Sequence, residues 1–326
     1  MTILPLNSAS IREAIALLEQ GKLVALPTET VYGLAGDATN GRAISSIFST
    51  KSRPQINPLI AHVSGIEMAE RYVKIDFLSR QLMEEFWPGP LTLVLPLKEQ
   101  HNIHPLTTSG LNTLAVRFPD SRFAEVVQHF GRPLAAPSAN QSGRLSPTSA
   151  EAVFASLGES VPLILDGGPA KIGLESTIIK ICDENIYLLR PGGLAADKIE
   201  EIVGKSLKRI DQRAAIEAPG MLKSHYAPNA TIRLNVEKVE SGEALLAFGS
   251  KRVMGAENAV SILNLSEDGK LEEAAFHLFQ YMKELDSFKV RCIAVEPIPS
   301  YGLGEAINDR LIRAAAPKEK QTWSRN

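Results

Sequence analysis

The sequence predicts an α/β protein of two domains, the first larger than the second. Three observations carry this. Apolar runs of strand length recur along the chain, as at 23–26, 59–63, 91–97 and 178–182, and segments with helical apolar spacing alternate with them. The 326 residues, 44% of them hydrophobic, are enough for two buried cores. Between Gly204 and Thr231 the composition becomes irregular and rich in charge, proline and glycine, and fresh strand and helix signals follow it.

Taken in order, Ser10 with Glu13 three residues later has the form of a capping box, so a helix is expected over 11–20, ended by Gly21. It feeds a strand at 23–26. A helical segment ending at Lys51 and a strand at 59–63 complete a strand–helix–strand unit. Helices over 67–72 and 77–86 stop at Trp87-Pro88-Gly89-Pro90, since proline removes a helix donor. Strands at 91–97 and 113–118, a helix at 121–130 and a short apolar strand after Pro133 lead to a polar loop. Strands at 163–165, 178–182 and 186–189 and a helix at 194–203 close an N-terminal domain of residues 1–206. Residues 207–231 form a linker with His225 and Tyr226, placed to fold back as a lid. In 232–326, strands at 232–234, 244–248, 260–265 and 292–295 with helices at 271–285 and 304–316 make a small α/β domain.

Composition excludes several function classes. The net charge of -2 argues against a polybasic nucleic-acid coat or membrane-surface protein. No run reaches the roughly 18 apolar residues of a membrane span, and the first residues lack a signal-peptide pattern, so a cytoplasmic protein is expected. Cys182 and Cys292, each inside an apolar run, are expected as buried thiols. His101 and His104 stand alone as a pair, so no protein-built metal site is expected.

The polar residues at strand ends are the candidate site. Lys51 and Arg53 read either as phosphate ligands or as charges at a helix C-terminus, where cations are favoured in any case. Arg117, between Val116 and Phe118, requires an anionic partner if its strand is buried, and otherwise marks an edge. The loop Ser138-Ala139-Asn140 offers hydroxyl, amide and backbone donors for an anion, though a helix cap explains Ser146. His62 is a ligand or a satisfied core histidine. No phosphate loop of the GxxxxGK[ST] type and no GxSxG elbow is present, so any nucleotide must be held by dispersed loops.

Six ordered strings then match one family: PTETVYGL (27–34), KSRPQINPL (51–59), PSANQSGRLSPT (137–148), LEST (174–177), LRPG (189–192) and APGMLKSHYAP (218–228). The chain resembles the long form of the threonylcarbamoyl-AMP synthase family, as does its final GLGEAINDRLIRAA. The resemblance implies a YrdC-like twisted mixed sheet with helices and a concave active-site face, followed by a small Rossmann-like domain. It implies that L-threonine, bicarbonate and ATP give L-threonylcarbamoyl-AMP and pyrophosphate, for threonylcarbamoyladenosine in tRNA. Lys51, Arg53, Ser138 and Asn140 are then the catalytic quartet. Arg53, Asn57, Thr113, Ser138, Ser146, Arg190 and Tyr226 bind ATP, and Thr30, His62, Arg117, Ala136 and Ser176 bind threonine. Mg²⁺ arrives on the phosphates, downstream threonylcarbamoyl-transferase proteins take the product, and contact with tRNA is indirect. The linker departs from many relatives, which have an arginine where this chain has Ser224.

Two rival readings are weaker. A module that grips RNA through Lys51, Arg53, Arg117, Arg144 and Arg190 without turning over ATP conflicts with the near-neutral charge. A carbamoyl-transfer maturation factor would need zinc fingers, which two cysteines cannot supply.

Overall fold

In a computed structural model, residues 1–182, 185–209, 218–220 and 225–317 are described. Strands β1 (Thr2–Pro5), β2 (Val24–Leu26), β3 (Gly33–Asp37), β4 (Ile60–His62), β5 (Leu91–Pro96), β6 (Thr113–Arg117), β7 (Leu134–Ala135), β8 (Leu163–Asp166), β9 (Thr177–Cys182), β10 (Asn185–Arg190) and β11 (Lys208–Arg209) form one mixed sheet. Among the described residues its order is β1-β8-β2-β3-β7-β4-β6-β5-β9-β10-β11. Helices α1 (Ser8–Glu19), α2 (Gly41–Lys51), α3 (Ile66–Ala69), α4 (Phe77–Phe86), α5 (Phe123–Phe130), α6 (Ala150–Leu157) and α7 (Ala196–Val203) belong to this domain. The apolar faces of α1, α2, α4 and α5 join Leu26, Leu34, Leu93 and Val116 of the strands in a single core. No described helix is long and apolar enough to cross a membrane.

The second sheet, β12 (Thr231–Arg233), β13 (Ala244–Ala247), β14 (Ile262–Asn264) and β15 (Cys292–Val295), is wholly parallel in the order β12-β15-β13-β14. Helices α8 (Leu271–Ser287) and α9 (Gly304–Ala315) pack with it. The unbroken burial of β13, Ala-Leu-Leu-Ala, is what a parallel strand covered on both faces requires. Just past β15, the buried Glu296 carboxylate accepts from the Phe248 and Val253 amides and from Arg252, filling the strand ends with the domain's own polar groups.

Several expectations change. Asn7, not Ser10, caps α1: its side chain accepts from the Ala9 and Ser10 amides, and Ser10 Oγ accepts from the Asn7 amide. The strand–helix–strand unit holds an extra strand, β3, which pairs antiparallel with β2, so β2 and β4 are not neighbours. β1 was not expected at all. Cys182 is exposed at the tip of a strand that runs out from under its cover, and Cys292 is half-buried, against the expectation of two buried thiols. In the linker, Lys208–Arg209 extend the sheet as β11, parallel to β10. Ser224, where the chain departs from its relatives, lies outside the described residues, as do 210–217 and 221–223.

Sheet register brings the site together. His62 and Arg117, the last residues of β4 and β6, are partners in parallel register. β5 runs antiparallel to β6 and parallel to β9, and β10 antiparallel to β9, so the start of β9 and the end of β10 reach the same side. Ser176 and Arg190 therefore stand near Arg117.

Candidate active site

Nine of the expected residues line one cavity: Thr30, Arg53, His62, Arg117 and Ala136, together with Ser138, Ser176, Arg190 and Tyr226. It encloses about 50 Å³, and Pro219, Gly220, His225 and Tyr226 of the linker contribute to its wall.

The expected anion for Arg117 is Glu29, whose Oε1 accepts from Nη2, while Nε donates to the Gly89 carbonyl at 3.2 Å. Both ends of this pair are about 4% exposed, so the strand is buried and the edge reading is set aside. Glu29 Oε2 has no hydrogen-bond partner among the described residues. Tyr32 is structural, its hydroxyl donating to the Gly168 carbonyl at 2.7 Å.

Arg53 lies just after the left-handed cap Ser52 of α2. Its Nε and Nη2 donate to the Asn57 and Pro58 carbonyls at 3.1 and 2.9 Å, which fixes the guanidinium plane. Burial pushes its pKa down to about 9, so it stays charged at neutral pH. Arg190 is held likewise: Nε and Nη2 donate to the Ser176 carbonyl, and Nη1 to that of Pro219. Ser176 Oγ is 2.7 Å from Thr92 Oγ1.

Five expected residues lie off the cavity lining. Lys51 is 1% exposed, and its Nζ donates to the Ser138 and Asn140 carbonyls, pinning that loop. Burial first, and then the neighbouring Arg53 charge, holds its pKa well below the usual lysine range. A solvated helix-end charge is thereby excluded. Asn140 Nδ2 donates to the Gln141 and Arg144 carbonyls, leaving Oδ1 buried without a hydrogen-bond partner among the described residues. Asn57 is fully buried, and both its side-chain polar atoms lack a hydrogen-bond partner among the described residues. Thr113 opens β6, half-buried beside Pro96. Ser146 Oγ donates to Glu175 Oε1.

Glu175 was not singled out in sequence, and His225 only as part of the linker expected to act as a lid. Burial raises the Glu175 pKa, but the charges of Arg310 and Arg190 and the bond from Ser146 outweigh it and hold it at about 2. Tyr226, buried and at φ 62°, stacks on Phe279 of α8 with centroids 5.5 Å apart. A positive φ at a tyrosine persists only where the surroundings over-determine it.

His62 and His225 are both held neutral. Burial pushes each pKa down to about 3, helped by Arg117 for His62 and by Arg53 and Lys51 for His225. An unfolded imidazole titrates near 6.5, so as pH falls the unfolded chain takes up these protons first. Their contribution is intact above that pH and is lost on the way down to about 3, by about 1.4 kcal/mol per pH unit per histidine. The melting temperature is expected to drop between about pH 7 and pH 5, and His62→Gln to flatten that drop. An unchanged slope in the variant would contradict a neutral, buried His62.

The family model described as telomere recombination, covering the Sua5, YciO and YrdC proteins, matches residues 16–192. The model described as the threonylcarbamoyl-AMP synthase C-terminal domain matches residues 194–316. The threonylcarbamoyl-AMP synthase of Bacillus subtilis is 38% identical, over 95% of this chain and 94% of its own. That of Pyrococcus abyssi is 38% identical over 94% of each. A crystal structure of P. abyssi Sua5 complexed with L-threonine superposes with a TM-score of 0.89 at 35% identity, covering 97% of this chain and 98% of that one. With both domains matched in sequence and the whole chain matched in shape, this protein belongs to the threonylcarbamoyl-AMP synthase family, in the long form that carries the C-terminal domain.

Proposed function

We propose that this chain is an L-threonylcarbamoyladenylate synthase, a nucleotidyltransferase that converts L-threonine, bicarbonate or CO₂, and ATP into L-threonylcarbamoyl-AMP and pyrophosphate. The observation that carries the reading is the convergence of Arg53, Arg117 and Arg190 with Ser138, Ser176 and Thr30 on one buried cavity. Three fixed guanidinium groups with neutral donors between them suit two anionic substrates, a carboxylate and a polyphosphate.

The threonine amine attacks CO₂, giving a carbamate and a proton. A carbamate oxygen then attacks the α-phosphorus of ATP, and pyrophosphate leaves. Both carbamate and mixed anhydride hydrolyse readily, so excluding water and presenting fixed donors matter more than a strong acid or base. Neutral His62, beside Arg117, fits the threonine end together with Thr30, Ala136 and Ser176. Arg53, Ser138 and Arg190 fit the ATP end, with Lys51 pinning the loop that carries Ser138 and Asn140. Asn57 and Asn140 keep buried, unpaired amide atoms, which favours their use by ligand, since such groups are costly to leave unmet. Thr113 and Ser146 complete the ATP set. A space of about 50 Å³ cannot admit ATP, so the linker residues, Tyr226 above all, must withdraw and close again over the nucleotide.

Glu175 is the one carboxylate among the lining residues and is committed to Ser146 and Arg310. Mg²⁺ therefore enters with the ATP phosphates rather than in a protein cage. We assign residues 1–206 to catalysis, 207–231 to a lid and 232–326 to the second domain, in a cytoplasmic enzyme whose product passes to a threonylcarbamoyl-transferase for tRNA modification.

Pyrophosphate release from ATP tests the reading. Release should require threonine and bicarbonate together and should fall when serine replaces threonine. Release that ignores both would mean a different nucleotide enzyme, and none at all would favour RNA binding.

A further inference from the structure

We infer that Arg310, on α9 of the C-terminal domain, is a positioning residue for the nucleotide site: it holds Glu175 away from the arginines that receive the phosphates. This rests on the ATP reading above. Arg310 has no exposed surface and is not among the residues lining the cavity. Its Nε donates to Glu175 Oε2 at 2.8 Å, its Nη2 to the Pro191 carbonyl at 3.0 Å, and its Nη1 to Asp309. The second oxygen of Glu175 accepts from Ser146. The carboxylate that faces the cavity is thus tied at both oxygens.

The tie matters because of what surrounds it. Glu175 lies within electrostatic reach of Arg190 and Lys51, and Arg190 shares the Ser176 backbone with it. Carboxylates and phosphates compete for the same planar guanidinium donors, and arginine pairs with either through two parallel bonds. Released from Arg310, Glu175 would turn toward Arg190 or Arg53 and neutralise it. An incoming polyphosphate would then have to displace one anion and approach against its charge. Arg310 prevents this by keeping both oxygens of Glu175 engaged, one on itself and one on Ser146. The C-terminal domain thereby completes the site while touching no substrate.

The test is a double-mutant cycle on the full chain, reading KM for ATP and KM for threonine from pyrophosphate release. Arg310→Met is expected to raise KM for ATP on the order of tenfold, within the range of couplings between contacting charges, with KM for threonine changed less than about twofold. On a Glu175→Gln background, where no charge competes for the arginines, the same substitution should change KM for ATP by less than about twofold. Equal losses on both backgrounds would overturn the inference, because a purely structural arginine is missed whatever residue 175 is. If Arg310→Met does not fold, Arg310→Lys takes its place in the cycle, since it keeps the charge but cannot span Glu175 and Pro191 together. Wild-type protein without threonine-dependent release would sink the synthase reading itself. Wild-type turnover with an unmoved ATP KM in the variant would sink only the role of Arg310.

Discussion

Replacing Arg53 with alanine is expected to lower kcat/KM for threonine-dependent pyrophosphate release by about 10²–10³-fold, the usual cost of removing one preorganised donor from developing charge. Arg53 is 8% exposed and already holds its plane through the Asn57 and Pro58 carbonyls, so no reorganisation is needed when a phosphate arrives. The substitution removes a buried cation bonded to backbone carbonyls and, among the described residues, to no carboxylate, so it strands no partner charge there. The fold should survive, and circular dichroism with a melting curve would show it. Full release by a folded Arg53→Ala protein would remove Arg53 from the site.

Gly192→Ala should damage both stability and activity. A β-carbon there would stand 2.3 Å from the Glu175 carbonyl oxygen and 2.5 Å from the Ser176 carbonyl carbon and the Thr177 nitrogen. All three are backbone atoms, so no side chain can turn aside. Overpacking of this kind typically costs about 1–3 kcal/mol. The strand start it displaces carries Ser176, anchors Arg190 through the Ser176 carbonyl, and receives the Gly193 amide on the Glu175 carbonyl at 2.8 Å. A shift of about 1 Å in positioning groups can cost 10²-fold in rate. The check is a melting curve beside pyrophosphate release: wild-type values in both would mean that the turn after β10 has slack that the close approach denies.

Much of the site was legible because its demands are local. A cation between Val116 and Phe118 required an anion, and Glu29 supplies it. The polar residues at strand ends and in the loops beside them read as one candidate site, and nine of the fourteen residues expected there line one cavity. The Glu175–Arg310 pair was not legible, for its members are 135 residues apart in different domains. Nothing near Arg310 in sequence demands an anion, since an arginine on a helix is ordinarily solvated. β3, Gly-Leu-Ala-Gly-Asp, was missed because it lacks the β-branched and aromatic residues that mark strands; its neighbours β2 and β7 make it one. For α1, Ser10 and Asn7 both carry capping chemistry, and only the backbone decides between them. Cys182 ends a mostly apolar run, Ile-Ile-Lys-Ile-Cys, but burial fades along β9 from Lys180 onward.

The pairing of β1 and β2 with β8 sets the order in which this chain can acquire its structure during synthesis. Thr2 pairs with Leu163 and Val24 with the same residue from the other side, so β8 is the wedge between the two earliest strands. At about 5–20 residues per second, some 8 to 30 seconds separate the appearance of the first strand on the ribosome from that of its partner. During that interval β1, and the edge of β2 that faces away from β3, have nothing of their own chain to bond. Pairing between strands so far apart in sequence is slow to form, because the loop between them must be closed first. The nascent first half, apolar and unpaired at those edges, is the stage at which this protein most needs protection from aggregation.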